Sequence, residues 1–214
     1  MVTVIFANGE FADGPAVREA LDAADFVIAA DGGAEHALRA GMKVALVIGD
    51  MDSISSPTLE KLANSYVEIQ KFPPEKNETD LELALLEAAR RDLSAIRVIG
   101  ALGDRLDQTL ANIYLLGLPQ LVGRDARLVS GKQTMWLISA GDHVIMGRPG
   151  DTISLIPMGG AVSGVVTSGL KYPLNNETLQ FGPARGISNV IEHESPRITV
   201  ASGLLMVVHT IGRA

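Results

Sequence analysis

The sequence predicts two domains: an N-terminal, mostly parallel α/β/α domain over residues 1–122 and a C-terminal antiparallel β-sandwich over residues 123–214. Two observations lead there. Up to about residue 118, short apolar runs alternate with Ala-, Leu- and Glu-rich stretches, the pattern of a parallel sheet joined by helices. After Gly123 the chain becomes a succession of short, partly β-branched runs separated by Gly, Pro, Asn or Asp.

The first domain's strands are expected at Thr3–Phe6, Val27–Ala30, Val44–Ile48, Val67–Phe72 and Ala95–Ile99. Ser56 and Pro57 read as a cap and a first-turn proline for a helix reaching Ala63. In KNETDLELALLEAAR, Thr79 and Glu82 have capping-box spacing, and Leu81, Ala84, Leu85 and Ala88 form a helical apolar stripe. The second domain's strands are expected in RLVSG, TMWLI, HVIMG, DTISLIPM, GVVTSGL, NVIEHE, RITVA and LLMVVHT.

Composition narrows the function. A net charge of -7 with no long Lys/Arg tract argues against nucleic acid as the main partner, although a small anion needs only a local positive field. With no cysteine, disulfides and thiolate chemistry are excluded, and a metal must be held by oxygen or imidazole. The opening MVTVIFANGE lacks the basic start of a signal peptide, and Gly, Asp or Pro breaks every long apolar run. The expectation is a cytoplasmic protein with no membrane partner, its mean hydropathy of +0.23 reflecting a well-filled core.

The chemistry concentrates where strands end. One strand runs into Asp31-Gly32-Gly33, a second into Gly49-Asp50-Met51-Asp52, and a third into Gly100-Ala101-Leu102-Gly103-Asp104-Arg105. Carboxyl ends of parallel strands line the crevice where such sheets bind ligands, and glycine lets the backbone approach phosphate closely. Neither a dinucleotide fingerprint nor a P-loop is present. Asp50 and Asp52 are like charges two residues apart after an apolar run, an arrangement that a hard cation such as Mg²⁺ relieves. Asp31 alone reads equally as a turn former or a ligand. Asp80 reads as a first-turn acid or, with Lys76 and Asn77 just before it, as part of a site. Arg105 and Asp107 read as a surface pair or as crevice groups. The four histidines show no metal-ligand spacing. Acids beside glycine turns point to phosphoryl chemistry.

These segments together resemble the thiamine pyrophosphokinase family. The resemblance rests on DGG at 31–33, GDMDS at 49–53, KNETD at 76–80, GALGDRLDQTLAN at 100–112, Trp136, TSGLKYPL at 167–174 and SN at 188–189. Asp104 stands where many bacterial members have glycine, and Gln108 where histidine is common. The resemblance implies transfer of diphosphate from ATP to the hydroxyethyl group of thiamine, giving thiamine diphosphate and AMP. It also implies a homodimer with thiamine sites at the subunit interface. It places Mg²⁺ on Asp50, Asp52 and Asp80, and makes those acids, with Arg105 and Asp107, the catalytic set. ATP would meet Asp31, Gly32, Gly33, Ser53, Lys76, Asn77, Thr79, Gly103, Arg105, Asp107 and Gln108. Thiamine would meet Trp136, Ser168, Ser188 and Asn189, with Trp136, alternatively a core residue, against the rings of the partner's thiamine. A transferase with another acceptor, or a non-catalytic nucleotide-binding module, would share the metal–phosphate half.

Overall fold

The computed structural model describes residues 1–213, which form two compact units, Met1–Gly131 and Lys132 onward. In the first, strands and helices alternate: β1 (Val2–Phe6), α1 (Pro15–Asp22), β2 (Ala24–Ala30), α2 (Gly33–Arg39), β3 (Leu46–Gly49), α3 (Ser56–Ala63), β4 (Glu68–Lys71), α4 (Asp80–Arg90), β5 (Ala95–Ile99), α5 (Leu106–Tyr114) and β6 (Asp125–Ser130). The strands pair in parallel in the order β4-β3-β2-β1-β5-β6. The order reverses at β1. Strands β2 to β4 extend the sheet on one side of it, and β5 and β6 on the other, which makes the β1–β5 boundary a topological switch point of the kind where such sheets bind ligands.

Burial explains why these runs are strands. Ile5 and Phe6 are adjacent, point to opposite faces and are both fully buried, as are neighbouring pairs in β2 and β3. A sheet covered on both faces needs continuous apolar runs rather than alternation, and VTVIF, FVIAA and LVIG supply them. The Thr79 cap forms as expected, its Oγ1 accepting from Glu82 N at 3.1 Å, a contact typically contributing about 1 kcal/mol. At α3 the cap falls on Ser55, and Ser56 is already helical.

RLVSG corrects the expected boundary. It lies in β6, which pairs in parallel with β5 from Ala95↔Asp125 to Ile99↔Val129, and the first unit therefore runs on to Gly131. Ala126, Leu128 and Val129 are buried against that unit's core. The rise in glycine and β-branched content at Gly123 marks a parallel edge strand before it marks a new unit.

The second unit contains β7 (Gln133–Ile138), β8 (Gly141–Val144), β9 (Thr152–Ser168), β10 (Glu177–Leu179), β11 (Asn189–Val190), β12 (Arg197–Val200) and β13 (Ser202–Thr210). The pairing order is β7-β13-β9-β12-β8, all antiparallel, with β10 and β11 also on β9. DTISLIPM and GVVTSGL, read as separate strands, fall mainly in the single β9 of 17 residues. Its first half pairs with β13 and its last residues with β12, the glycines between them bending the strand instead of turning it. Trp136, Ile153, Leu155, Val165, Ile198 and Val207 belong to the core of this unit. Among the described residues no helix is long and apolar enough to cross a membrane.

One buried charge tests the packing of the first unit. Glu87, on α4, is 7% exposed. It accepts from Arg90 at 2.6 and 2.7 Å, from Arg91 at 2.6 Å and from Gln70 at 3.0 Å. Arg90 first, against the opposing effect of burial, and then Arg91 and Gln70 hold its carboxyl down to about 2. A depressed carboxylate contributes stability above its unfolded value, near 4.5, and loses it as pH falls through the folded value. Glu87→Gln should therefore lower unfolding stability at pH 7 by up to about 3 kcal/mol. In urea titrations the gap from the natural chain should close between pH 4.5 and about 2.

Candidate active site

A concavity of about 440 Å³ in the first unit lies at the carboxyl ends of β1, β2, β3 and β5. Asp50, Asp52 and Ser53 follow β3, Asp31 follows β2, and Lys76, Thr79 and Asp80 enter from the loop into α4. Gly103, Arg105 and Gln108 close the β5 side. Ten of the residues expected to bind nucleotide or metal thus share one wall or another of this cavity. Gly32 and Gly33 pack behind it against Asn8 and Phe6, and Asn77 and Asp107 lie outside its lining.

Three carboxylates converge. Asp31, Asp50 and Asp52 each present an oxygen within 4.8 Å of the others. Asp31 is only 4% exposed and holds φ at 45°. Its backbone N–H donates to Ile48 O at 2.9 Å, tying the end of β2 to β3. Its Oδ1 accepts from Ser53 N at 3.4 Å, Asp50 Oδ1 accepts from Asp52 N at 3.2 Å, and Asp52 Oδ1 accepts from Ser53 Oγ at 2.9 Å. Burial works against an ionised Asp50. The Asp52 amide and Lys76 overcome it and hold the carboxyl below its ordinary value.

Asp80 stands beside this group on the other side of Gly49. A Cβ on Gly49 would lie 2.9 Å from Asp80 Oδ1 and 3.1 Å from Asp31 Cβ, and the glycine's φ of +144° disfavours any side chain. Lys76 Nζ lies 3.2 Å from Asp50 Oδ2 and 3.0 Å from Asp80 Oδ1. The second contact has the distance of an ion pair without the angle of a hydrogen bond, so the buried Asp80 Oδ1 has no hydrogen-bond donor. Burial pushes the Asp80 carboxyl above its ordinary value, with Lys76 opposing and the charges of Asp50 and Asp31 adding. Lys76 is itself raised, its two carboxylate partners outweighing its burial.

The opposite wall is backbone. Gly9 N donates to Gly100 O and Glu10 N to Leu102 O, both at 2.7 Å, so the turns after β1 and β5 are laced together. Thr109 Oγ1 bonds Gly103 N and O, and Asn112 Nδ2 donates to Ala101 O at 2.6 Å, pinning the β5 turn to α5. Reading the sequence missed Asn8 and Gly9, and took in Thr109 and Asn112 only as part of the 100–112 segment, with no role of their own. The signal for the first two was an Asn-Gly pair straight after a strand. It also set His36 aside, whose Nε2 lies 2.9 Å from Gly9 O and whose ring stacks on Phe11. Arg105 and Asp107 form an ion pair at 2.6 Å that is largely exposed, and Arg105 holds Asp107 below the usual carboxylate range.

In the second unit, Trp136 is 8% exposed and belongs to the core. Ser168 and Ser188 are exposed. Asn189 is buried, its Oδ1 accepting from Tyr172 N at 3.0 Å and its Nδ2 donating to Tyr172 O at 2.7 Å. It lines a small cavity of about 70 Å³ with Tyr172, Leu174 and Arg185. Trp136, Ser168 and Ser188 are not in that lining.

A glycine-turn wall facing clustered carboxylates and one buried lysine suits a polyphosphate carried with a hard cation. That is the class of the nucleotide-using transferases. Comparison with known proteins gives the family. Residues 17–123 match the family model for the thiamin pyrophosphokinase catalytic domain, and residues 142–205 that for the thiamin pyrophosphokinase vitamin B1 binding domain. The thiamine pyrophosphokinase of Bacillus subtilis (strain 168) is 29% identical over 184 residues, covering 86% of each chain. The crystal structure of the Bacillus subtilis enzyme aligns at a TM-score of 0.88 with 27% identity over 99% of both chains. A thiamin pyrophosphokinase family protein from Enterococcus faecalis aligns at 0.88 with 26% identity over 100% of both. The chain belongs to the thiamin pyrophosphokinase family, and it is an enzyme: a kinase-type transferase with thiamine pyrophosphokinase activity.

The laced turns give a direct test. A Cβ on Gly9 would lie 2.4 Å from Gly100 O and 2.5 Å from Leu102 O, both rigid backbone. Gly9→Ala should separate the two turns and raise the KM for ATP at least about tenfold, with the KM for thiamine little changed. Steady-state kinetics varying each substrate separately would check this.

Proposed function

We propose that the first unit's cavity binds ATP with Mg²⁺ and directs thiamine's hydroxyl oxygen at the β-phosphorus. The observation that carries this reading is the approach of Asp31, Asp50 and Asp52 to within 4.8 Å of one another in a cavity that also holds Lys76. An all-oxygen donor set of this kind fits Mg²⁺, and the buried Asp80 Oδ1 beside it, which has an ion pair with Lys76 but no hydrogen-bond donor, is a further oxygen available to a cation. Asp31, Asp50 and Asp52 would hold the ion, with Asp80 next to them. Bound there, it would neutralise phosphate oxygens whose charge grows during transfer.

The remaining work falls to the protein's own groups. The phosphate chain lies against the turns after β1 and β5, while Lys76 and Arg105 meet its oxygens. Attack at the β-phosphorus forms one O–P bond and breaks the bond to the α-phosphate oxygen, so AMP leaves. The acceptor hydroxyl is a weak nucleophile, and alignment with electrostatic stabilisation contributes more than a dedicated base. Asp107, held ionised by Arg105, serves to position that guanidinium at the rim rather than to take a proton.

The second unit supplies the thiamine side, in keeping with the vitamin B1 binding match that contains Ser168, Ser188 and Asn189. The exposed serines are free to meet the aminopyrimidine, and Asn189 acts by fixing the Tyr172 backbone. Trp136, 8% exposed, keeps to the core of that unit. Two copies of the chain would pair to complete these sites.

Phosphorus NMR of the reaction with thiamine, ATP and Mg²⁺ tests the reading. AMP with thiamine diphosphate is the expected product pair, and ADP with thiamine monophosphate would contradict it. Asp50→Asn and Asp52→Asn should each lower kcat by about 10²- to 10³-fold or more, with the fold intact by circular dichroism.

A further inference from the structure

Lys76 occupies an unusual place for a phosphate-binding lysine. Its side chain is only 10% exposed, and its ammonium lies between two carboxylates on different elements, Asp50 after β3 and Asp80 on α4. Asp50 is at the same time one of the three acids whose oxygens converge. The ammonium therefore already neutralises part of the cluster that a divalent cation would enter. Two cations cannot both be close to Asp50 without repelling each other, and in a poorly solvated pocket that repulsion is large.

We propose that Lys76 acts as a resident counter-ion that weakens binding of a free divalent cation and moves to the phosphate oxygens when the nucleotide brings the metal in. This rests on the reading of the cavity as the nucleotide site. Three parts of the geometry support the exchange. The ammonium is in the same cavity as the backbone turns after β1 and β5, so phosphate oxygens cradled there are within the lysine's compass. Its flexible four-carbon stem allows the move, which a rigid guanidinium fork would resist. Asp80 Oδ1, 3.0 Å from that ammonium and without a hydrogen-bond donor, would exchange one cation for the other. By linkage, a residue that penalises the metal in the free enzyme and is drawn away by the nucleotide makes each ligand favour the other. Lys76 is then a specificity residue: it selects the metal–nucleotide complex over the bare ion.

The test measures metal binding without turnover. Mn²⁺, followed by its electron paramagnetic resonance signal, would be titrated into the full-length chain with and without α,β-methylene ATP, no thiamine being present. Lys76→Met should bind Mn²⁺ alone at least about tenfold more tightly than the natural chain, and the gain in Mn²⁺ affinity on adding the nucleotide analogue should shrink by a similar factor. Lys76→Arg, which keeps the charge, should bind Mn²⁺ alone as weakly as the natural chain. Equal or weaker Mn²⁺ binding by folded Lys76→Met would overturn the proposal. So would a natural chain whose Mn²⁺ affinity is indifferent to the analogue while the analogue binds. If the analogue binds neither the natural chain nor the variants, the nucleotide reading of the cavity fails, while tighter Mn²⁺ binding by Lys76→Met would still establish the lysine as counter-ion.

Discussion

Mutual repulsion among acids shapes this molecule's first unit. Asp31, Asp50, Asp52 and Asp80 are gathered at the carboxyl ends of a sheet whose strands are otherwise apolar, and one of them is almost wholly buried. Such a group is costly to assemble, and the fold offsets the cost with nearby donors: the amides of Asp52 and Ser53, the Ser53 hydroxyl and the Lys76 ammonium. The sheet order follows the same logic. Reversal at β1 opens the crevice, and the packing of Gly33 against Phe6 and of Gly49 beside Asp80 allows the acids to approach it.

What the sequence made legible was the periodicity and the ends of elements. All five strands expected before residue 100 are present, since a doubly covered sheet needs runs such as VTVIF that no helix would require. The capping pair of Thr79 and Glu82 located the start of α4 to the residue. Local pattern failed where pairing partners decide. The partner of β6 lies some thirty residues upstream, and nothing within RLVSG distinguishes a parallel neighbour from an antiparallel one. The Gly159-Gly160 pair in β9 has the composition of a turn, but it forms a bulge: pairing with β13 breaks off at Met158↔Leu204 and resumes at Ser163↔Ser202, so the strand bends and carries on.

The site was legible for a different reason. Acids after apolar runs are conspicuous because they contradict burial, and Asp31, Asp50 and Asp52 stood out that way, whereas Asp80 stood out as a first-turn acid just after Lys76 and Asn77. Groups that act through the backbone left no such mark. Gly9, Asn112 and the His36 that touches the Gly9 carbonyl have ordinary local sequences, and only the three-dimensional lacing of the β1 and β5 turns gives them a purpose. Asn189 illustrates the converse. Its place in a family motif suggests direct recognition, whereas both ends of its amide are engaged by the Tyr172 backbone.

The long strand β9 carries a consequence for how the second unit comes apart. One continuous peptide is hydrogen-bonded to β13 through its first half and to β12 near its end, with β11 on the other edge of its opening residues and β10 at Val162 and Val165. Neither group of strands can separate while the other keeps β9 in place. Fluctuations that expose amide protons in this unit must therefore either fray the short strands at its margins or break the whole assembly at once. Slow exchange should run along the entire length of β9, making it the spine of a single cooperative unit and not a link between two independent ones.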